Sequence, residues 1–307
     1  HPEAPFQFES TEHYTLHPKE KHSRESLKQL LAQINPTAIV CSGWMDSDYN
    51  AVAKAYQKHI PVVLTLDNWW TGSLKQRVAT LTAPWFIHRR FNRAWVPGKP
   101  QISFAQKLGF SGHSLSTGFY CADPKPFQAI YEKRKTTPPS KKILYIGRYL
   151  GVKGVRELWA AFVELSHEFP EWELHCIGTG ELWDDRTIHP QIIHHGFKQP
   201  SELAPFLEDA ACFVMPSKKE PWGVVLHEMA LAGLPLLAST RVGAASQFLE
   251  HGKNGIGFDP SAIAEALQSF LGNDEARIQN ESYASHQLGM KHTPAGWSHT
   301  LLSLIQA

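Results

Sequence analysis

No stretch of this 307-residue chain approaches the roughly 20 consecutive apolar residues of a bilayer-spanning helix, and no secretory pattern is visible at its start. The expectation is a cytosolic protein, or one peripheral at the inner membrane surface. Cysteine is scarce: Cys41, Cys121, Cys176 and Cys212 are widely separated and form no CxxC pair. That excludes a disulfide framework and a thiolate zinc site, and suits small buried hydrophobes in a reducing compartment. The 17 histidines lack an HExxH frame, so no metal ligand set and no tightly bound cofactor are expected. Charge of one sign is lacking too. With 30 Lys and Arg against 29 Asp and Glu, the formal net charge of +1 exerts no global pull toward nucleic acid.

What is present is 42% apolar and 19% charged, the balance of a globular chain, over a length that favours two cores. Helix-spaced "ESLKQLLAQ" precedes the short apolar run "TAIVCSG". The alternation continues through "NAVAKAYQKH", "IPVVLTLD", "SLKQRVATLTAPWFIHRRF", "RAWVPG", "PQISFAQKLGF" and "HSLSTG". Such alternation predicts a mostly parallel sheet with helices on both faces. "EKRKTTPPS", residues 132–140, breaks the rhythm with charges and prolines and is expected to be a linker. A second series runs from "KKILYIGR" through "WELHCIGTG", "IIHHGF", "CFVMPS" and "PLLAST" to "GIGFD", with helices between. The expected division is a first α/β domain over 1–131 and a second, doubly wound, over 141–285. A helical segment, 286–307, is expected to pack back on the first domain. Since the first series shows four strands and the second six, the first domain is expected to be incomplete. Its initial strands would come from a preceding segment or a second chain.

In open α/β sheets ligands bind beyond the carboxyl ends of the strands, so the residues after each strand carry the chemistry. Arg148 and Lys153, beside Gly147 and Gly154, pair a planar fork with a point charge where glycines allow close backbone approach. That combination suits a diphosphate, although a solvated loop with two surface charges is the plainer alternative. In "KKEPWGVVLHE", residues 218–228, Gly223, Val224 and Val225 would open a helix whose free N–H groups attract an anion. Glu220 stands just before that point, and Glu228 lies about 7 to 8 Å into the helix at about 1.5 Å per residue. Carboxylates accept hydrogen bonds from hydroxyls, not from phosphates. A nucleotide sugar has the matching layout, with hydroxyl-rich rings on both sides of a diphosphate. "GTGE" offers Gly178 and Gly180 but Trp183 where a dinucleotide fingerprint needs glycine, so hydride chemistry is weakly supported.

Together "YIGRYLGVKGVRELWAAF", "IGTGEL", "HGF", "MPSKKEPWGVVLHEMALAGLPLLAS" and "GKNGIGFD" resemble, in order and spacing, the nucleotide-sugar half of retaining glycosyltransferases of GT-B fold, family 4, over about residues 141–260. The resemblance implies two Rossmann-like domains facing a cleft. It implies a donor site of Gly147, Arg148, Lys153, Gly178, Gly180, Phe197, Glu220, Gly223, Val224, Val225 and Glu228. Arg148 and Lys153 would hold the diphosphate, Glu220 the hydroxyls of the transferred sugar and Glu228 the ribose. Transfer would proceed on the front face without metal, the departing diphosphate helping to accept the acceptor's proton. A UDP- or GDP-sugar is expected ahead of an ADP-sugar.

The first half resembles the acceptor domain more loosely. Asp67, counted with Glu220, Arg148 and Lys153 as catalytic, stands where many members carry a histidine. Trp44, Trp69 and Trp70 are candidates to stack on acceptor sugars, with core packing the alternative. The acceptor is expected to be a hydroxyl of a glycan, a lipid-linked sugar or a small molecule. "PWFIHRRFNRAW", residues 84–95, suits either an anionic membrane surface or, the favoured reading, a half-buried helix. Two other readings stand beside the transferase: a nucleotide-sugar-binding remnant or regulatory subunit, and an epimerase of the same fold.

Overall fold

The computed structural model describes Ser10 and residues 12–306. The chain divides into two compact units, one running to Tyr120 and resumed from Ala295, the other Cys121–Pro294. The opening piece "HPEAPFQFE" lies outside the described residues.

The first unit carries β1 (Ile39–Ser42), β2 (Val62–Thr65), β3 (Arg93–Val96) and β4 (Leu115–Thr117), all parallel, in the order β1-β2-β3-β4. Its helices are α1 (Arg24–Ile34), α2 (Ser47–Tyr56), α3 (Leu74–Phe86) and α4 (Lys99–Lys107). Side chains at their starts take up otherwise orphaned backbone donors: Ser23 accepts from the Ser26 N–H, Asp46 from Asp48 and Tyr49, and Ser73 from Gln76. Alternate strand residues face opposite ways. Leu64 and Val96 face a core closed by Ala53 of α2, Ala83 of α3 and Phe104 of α4.

The second unit carries β5 (Lys142–Ile146), β6 (Glu173–Ile177), β7 (Ile192–His194), β8 (Cys212–Met215), β9 (Leu236–Ser239) and β10 (Gly255–Phe258). All neighbours are parallel, in the order β10-β9-β8-β5-β6-β7. Helices α5 (Pro124–Arg134), α6 (Val155–Leu165), α7 (Ala204–Leu207), α8 (Val224–Leu231), α9 (Ala245–Phe248), α10 (Ile263–Leu271) and α11 (Glu275–Gly289) complete it. Helix α6 buries Leu158, Trp159, Phe162 and Leu165, each worth about 1.5–3 kcal/mol relative to exposure. Trp172 and Phe270 of α10 meet edge to face in the same core. Phe162→Ala would open a cavity costing about 3–5 kcal/mol.

Three expectations are corrected. Residues 132–134 are the last turn of α5, not linker, because the buried Arg134 guanidinium donates to the carbonyls of Leu207 (2.6 Å), Ala210 (2.8 Å) and Gly233 (3.3 Å). Three carbonyls replace water around the cation, and the chain changes units earlier, between Tyr120 and Cys121. The expected boundary at 285/286 falls inside α11, which continues because His286 stacks on Tyr131 at 3.5 Å and donates from Nδ1 to the Leu231 carbonyl. Two of the helices expected between the strands of the second series, in "ELAPFLEDA" and "AASQFLEHG", form only the single turns α7 and α9. Leu249, extended at φ −126°, stops the latter.

The last helix, α12 (Pro294–Gln306), supplies the other face of the first sheet. Leu304 joins Val63 and Trp95, while the Trp297 ring sits 4.8 Å from Trp95 and its Nε1 donates to the Phe119 carbonyl at 2.6 Å.

Candidate functional site

In the second sheet the strand order reverses between β5 and β8: β6 and β7 extend one way, β9 and β10 the other. Connections leaving such neighbours diverge and open a crevice at their carboxyl ends. The loops there run from Gly147 to Gly154 and from Pro216 to Gly223. They are joined by the Lys218 N–H donating to the Val152 carbonyl at 2.9 Å. Gly154, at φ +70°, lies so close that a Cβ would sit 2.2 Å from the Pro216 carbonyl oxygen. Only glycine fits both the angle and the gap. That approach brings Lys153 against Glu220, and the two form an ion pair with side chains only 25% and 13% exposed. Glu220 is held by its backbone on both sides: its N–H donates to the Arg241 carbonyl and its carbonyl accepts from Gly243, each at 3.0 Å.

Gly147, Gly178 and Gly180 stitch the loops after β5 and β6 together. Gly147 donates to the Ile177 carbonyl, Tyr149 to Thr179, and Gly178 to Gly196 after β7. A Cβ on Gly178, at φ +139°, would lie 1.9 Å from the Gly147 oxygen, and one on Gly180 would lie 2.7 Å from the Tyr149 oxygen. The two glycines of "GTGE" are therefore demanded by backbone meeting backbone, whatever lies above them. Arg148 is half-buried in this loop, its carbonyl accepting from the Tyr145 hydroxyl at 2.9 Å. Phe197 follows Gly196, half-buried.

Helix α8 starts at Val224 after Gly223, whose φ of +91° turns the chain over Met215. Val224 and Val225 thus hold first-turn N–H groups that no carbonyl within the helix can reach. The Glu228 carboxylate, half-buried one turn further, meets no hydrogen bond or ion pair among the described residues. Burial alone pushes its carboxyl above the usual range. Its neighbour His227 is fully satisfied: Nδ1 accepts from the Ala122 N–H, Nε2 donates to the Gly289 carbonyl, and the ring stacks on Phe248. Burial holds that imidazole down at about 4 and so uncharged.

In the first unit a cavity of about 210 Å³ opens at the carboxyl ends of β1 and β2, lined by Gly43, Trp44, Asp67, Asn68, Phe119 and Tyr120 among others. The Asp67 backbone carbonyl accepts from Gln101 Nε2. Burial, followed by the charge and hydrogen bonding of Asp67, raises the Tyr120 phenol. Of the three tryptophans only Trp44 lines this cavity, edge-on to Phe104. Trp70 packs against Phe104 with Lys107 over its ring, and Trp69 offers its carbonyl to Gln76; neither reaches the cavity lining. The run 84–95 divides: Ile87, Phe91 and Trp95 are buried, whereas Trp85 is exposed.

Arg241–Gly243 and Tyr145 position the site without having been singled out from sequence. The signal for the first was the placement of "TRVGAAS" directly after an apolar strand. Tyr145 carries none, since an inward aromatic on a strand reads as core. Among the described residues no cluster of three or more His, Cys, Asp or Glu could hold a metal, and no helix is long and apolar enough to cross a membrane.

Comparison with known proteins bears on this geometry. The pattern of the glycosyl transferases group 1 matches residues 127–287. Glycogen synthase of Mycobacterium tuberculosis is 31% identical over 272 residues, covering 82% of this chain and 64% of the relative. D-inositol 3-phosphate glycosyltransferase of Corynebacterium urealyticum is 28% identical over 187 residues, covering 55% and 43%. The chain therefore spans less than two thirds of the first relative's length and less than half of the second's. Anabaena Alr3699/HepE, solved with UDP and glucose, superposes with a TM-score of 0.72 at 14% identity over 96% of this chain and 84% of that one. Sucrose-phosphate synthase from Thermosynechococcus elongatus gives 0.66 at 20%, over 92% and 75%. The fold is that of GT-B proteins, with two Rossmann-like parallel-sheet units. On its own residues and on these matches, the chain belongs to the glycosyl transferases group 1.

Proposed function

We propose that the second unit binds a nucleoside diphosphate sugar at the carboxyl ends of β5 and β8, and that the protein transfers the sugar to a hydroxyl acceptor with retention. The observation that carries this is Glu228, a half-buried carboxylate that no described residue satisfies. Such a carboxylate, desolvated over part of its surface, gains from a ligand that brings hydroxyl donors to it. The ribose hydroxyls of a nucleotide are such donors. The diphosphate lies against Arg148, Lys153 and the N–H groups of Gly223, Val224 and Val225, and Glu220 receives the hydroxyls of the transferred sugar. Phe197 and the Gly178–Gly180 turn border the donor.

The diphosphate departs on the face from which the acceptor arrives, and its oxygen takes the acceptor's proton. Arg148, Lys153 and the start of α8 stabilise the negative charge that develops as the bond to the sugar breaks, so positioning and fixed charge supply the rate without a metal. The cavity at Trp44 and Asp67 takes the acceptor: the indole offers a flat apolar face, and Asp67 accepts from a hydroxyl. The UDP in the solved neighbour supports a UDP-sugar as donor.

Calorimetric titration with UDP, GDP and ADP in EDTA tests this reading, followed by a transfer assay with the sugar nucleotides of whichever binds. Micromolar binding of one nucleotide, weakened by Arg148→Ala, is expected. Binding of none, or dependence on divalent cations, would overturn the site as drawn.

A further inference from the structure

Helix α3 is apolar on two opposite sides. Its inner side sets Ala79, Ala83 and Phe86 against the first core. On the outer side Leu74, Val78, Leu81 and Trp85 are 77%, 50%, 72% and 68% exposed. Their spacing of four, three and four residues keeps them on one line along a helix. Over 13 residues that ridge is about 20 Å long at about 1.5 Å per residue. Single exposed apolar side chains are common, whereas an aligned row that no described residue covers marks an interaction face.

The charges beside the ridge have one sign. Lys75 and Arg77, both exposed, fall on either side of it, and Arg89 lies exposed just beyond the helix. Arg90 folds its guanidinium over the Phe86 ring at 3.9 Å. No Asp or Glu occurs anywhere between Asp67 and Asp123. A second copy meeting this face in a two-fold dimer would set cations against cations, which disfavours self-association. An acid-free apolar helix with a tryptophan near one end has the composition of one that lies flat in a membrane interface.

We propose that the outer face of α3 docks the protein on an anionic phospholipid bilayer. Leu74, Val78, Leu81 and Trp85 enter the boundary between headgroups and acyl chains, and Lys75, Arg77 and Arg89 meet lipid phosphates. The helix lies along the surface and does not cross it. Since α3 follows directly on the Asp67–Ser73 loop, docking brings one wall of the first unit's cavity to the lipid surface, where an acceptor carried by a lipid would be found.

Vesicle co-sedimentation tests the proposal without donor or acceptor, so its outcome is independent of the transferase reading. The full chain is mixed with phosphatidylcholine vesicles containing about 30% phosphatidylglycerol, and with phosphatidylcholine alone. Binding to the anionic vesicles that falls as salt rises is expected. Leu81→Gln/Trp85→Gln should weaken it at least tenfold. Lys75→Gln/Arg89→Gln should weaken it by roughly fivefold per charge removed. Tyr283→Ala, exposed on the other unit, should leave it unchanged. All these positions are solvent-facing, so melting temperatures should match the parent. No binding to anionic vesicles, equal binding to neutral ones, or binding indifferent to Leu81 and Trp85 would overturn the proposal. So would concentration-dependent dimers that the Leu81/Trp85 variant abolishes in the absence of lipid binding.

Discussion

Lys153 and Glu220 set up a competition that can be measured. In the structure the ammonium pairs with the carboxylate; in the proposed complex it turns to a diphosphate that Glu220 repels. Lys153→Met keeps the stem and removes the charge. A hydrogen bond to a charged group contributes about 1.5–3 kcal/mol, so nucleoside diphosphate affinity should fall about ten- to 150-fold. Glu220→Gln removes the competitor and keeps the shape: affinity for the free nucleotide should hold or rise, while sugar transfer collapses. Stability separates the two in the opposite sense. Lys153→Met strands a carboxylate whose side chain is 13% exposed, a cost of about 1–3 kcal/mol, whereas the double variant recovers most of that stability and none of the affinity. Titration calorimetry and urea unfolding on the four proteins give the full cycle. If Glu220→Gln weakens nucleotide binding as much as Lys153→Met does, or if Lys153→Met leaves it unchanged, Lys153 is not a diphosphate ligand.

Glu228→Gln should leave the melting temperature level or higher, because no ion pair is lost, while erasing about tenfold preference for UDP over its 2′,3′-dideoxy analogue; retained preference would remove Glu228 from the ribose. Gly178→Ala should lower stability by at least about 1–3 kcal/mol in thermal unfolding, since neither φ +139° nor the 1.9 Å approach to the Gly147 oxygen admits a methyl; a neutral result would mean the loop is looser than described. His227 is held near 4 when folded and reverts toward about 6.5 when unfolded, so below pH 6.5 the unfolded chain binds its proton first. Its contribution is intact above pH 6.5 and is lost as pH falls toward 4, at up to about 1.4 kcal/mol per unit, and His227→Gln should flatten the measured slope by that amount. Trp297→Ala should cost about 3–5 kcal/mol by chemical denaturation through loss of the Trp95 contact and the Phe119 hydrogen bond; a change under 1 kcal/mol would contradict the packing of α12.

The alternation of helix and strand was readable because each strand in a covered parallel sheet is a short apolar run, as "PVVLTL" and "CFVM" are. The place of Glu220, Gly223 and Glu228 around the entry to α8 was readable because an apolar run followed by a glycine and a helical pattern marks a strand-to-helix turn. What sequence could not express is adjacency between distant strands. That β5 lies beside β8, and so brings Lys153 to Glu220 across 67 residues, is a property of the sheet order. Arg134 misled for a related reason: in sequence it belongs to a run of charges, and only the folded chain supplies its three carbonyls. Trp69 and Trp70 follow a strand as acceptor-stacking residues would, yet packing claimed Trp70 and the turn into α3 claimed Trp69. On α3 both apolar stripes have helical spacing, and nothing local says which one faces the core.

The return of α12 to the first sheet bears on how the protein is made. Arg93 Nε donates to the carbonyl of Leu304, 211 residues later, and Trp95 shares its environment with Trp297. During synthesis the strands of the first sheet must wait for a helix made 211 residues after Arg93. At about 5–20 residues per second the interval is on the order of tens of seconds. Throughout it, Val63 and Trp95 lack the cover of α12 and have Phe119 beside them, while the intervening unit, Cys121–Pro294, already has all its strands and can close its own core. The protein is thus expected to mature from the middle outward. Its nascent form, with the first sheet face still short of α12, is the species on which a ribosome-associated chaperone would act.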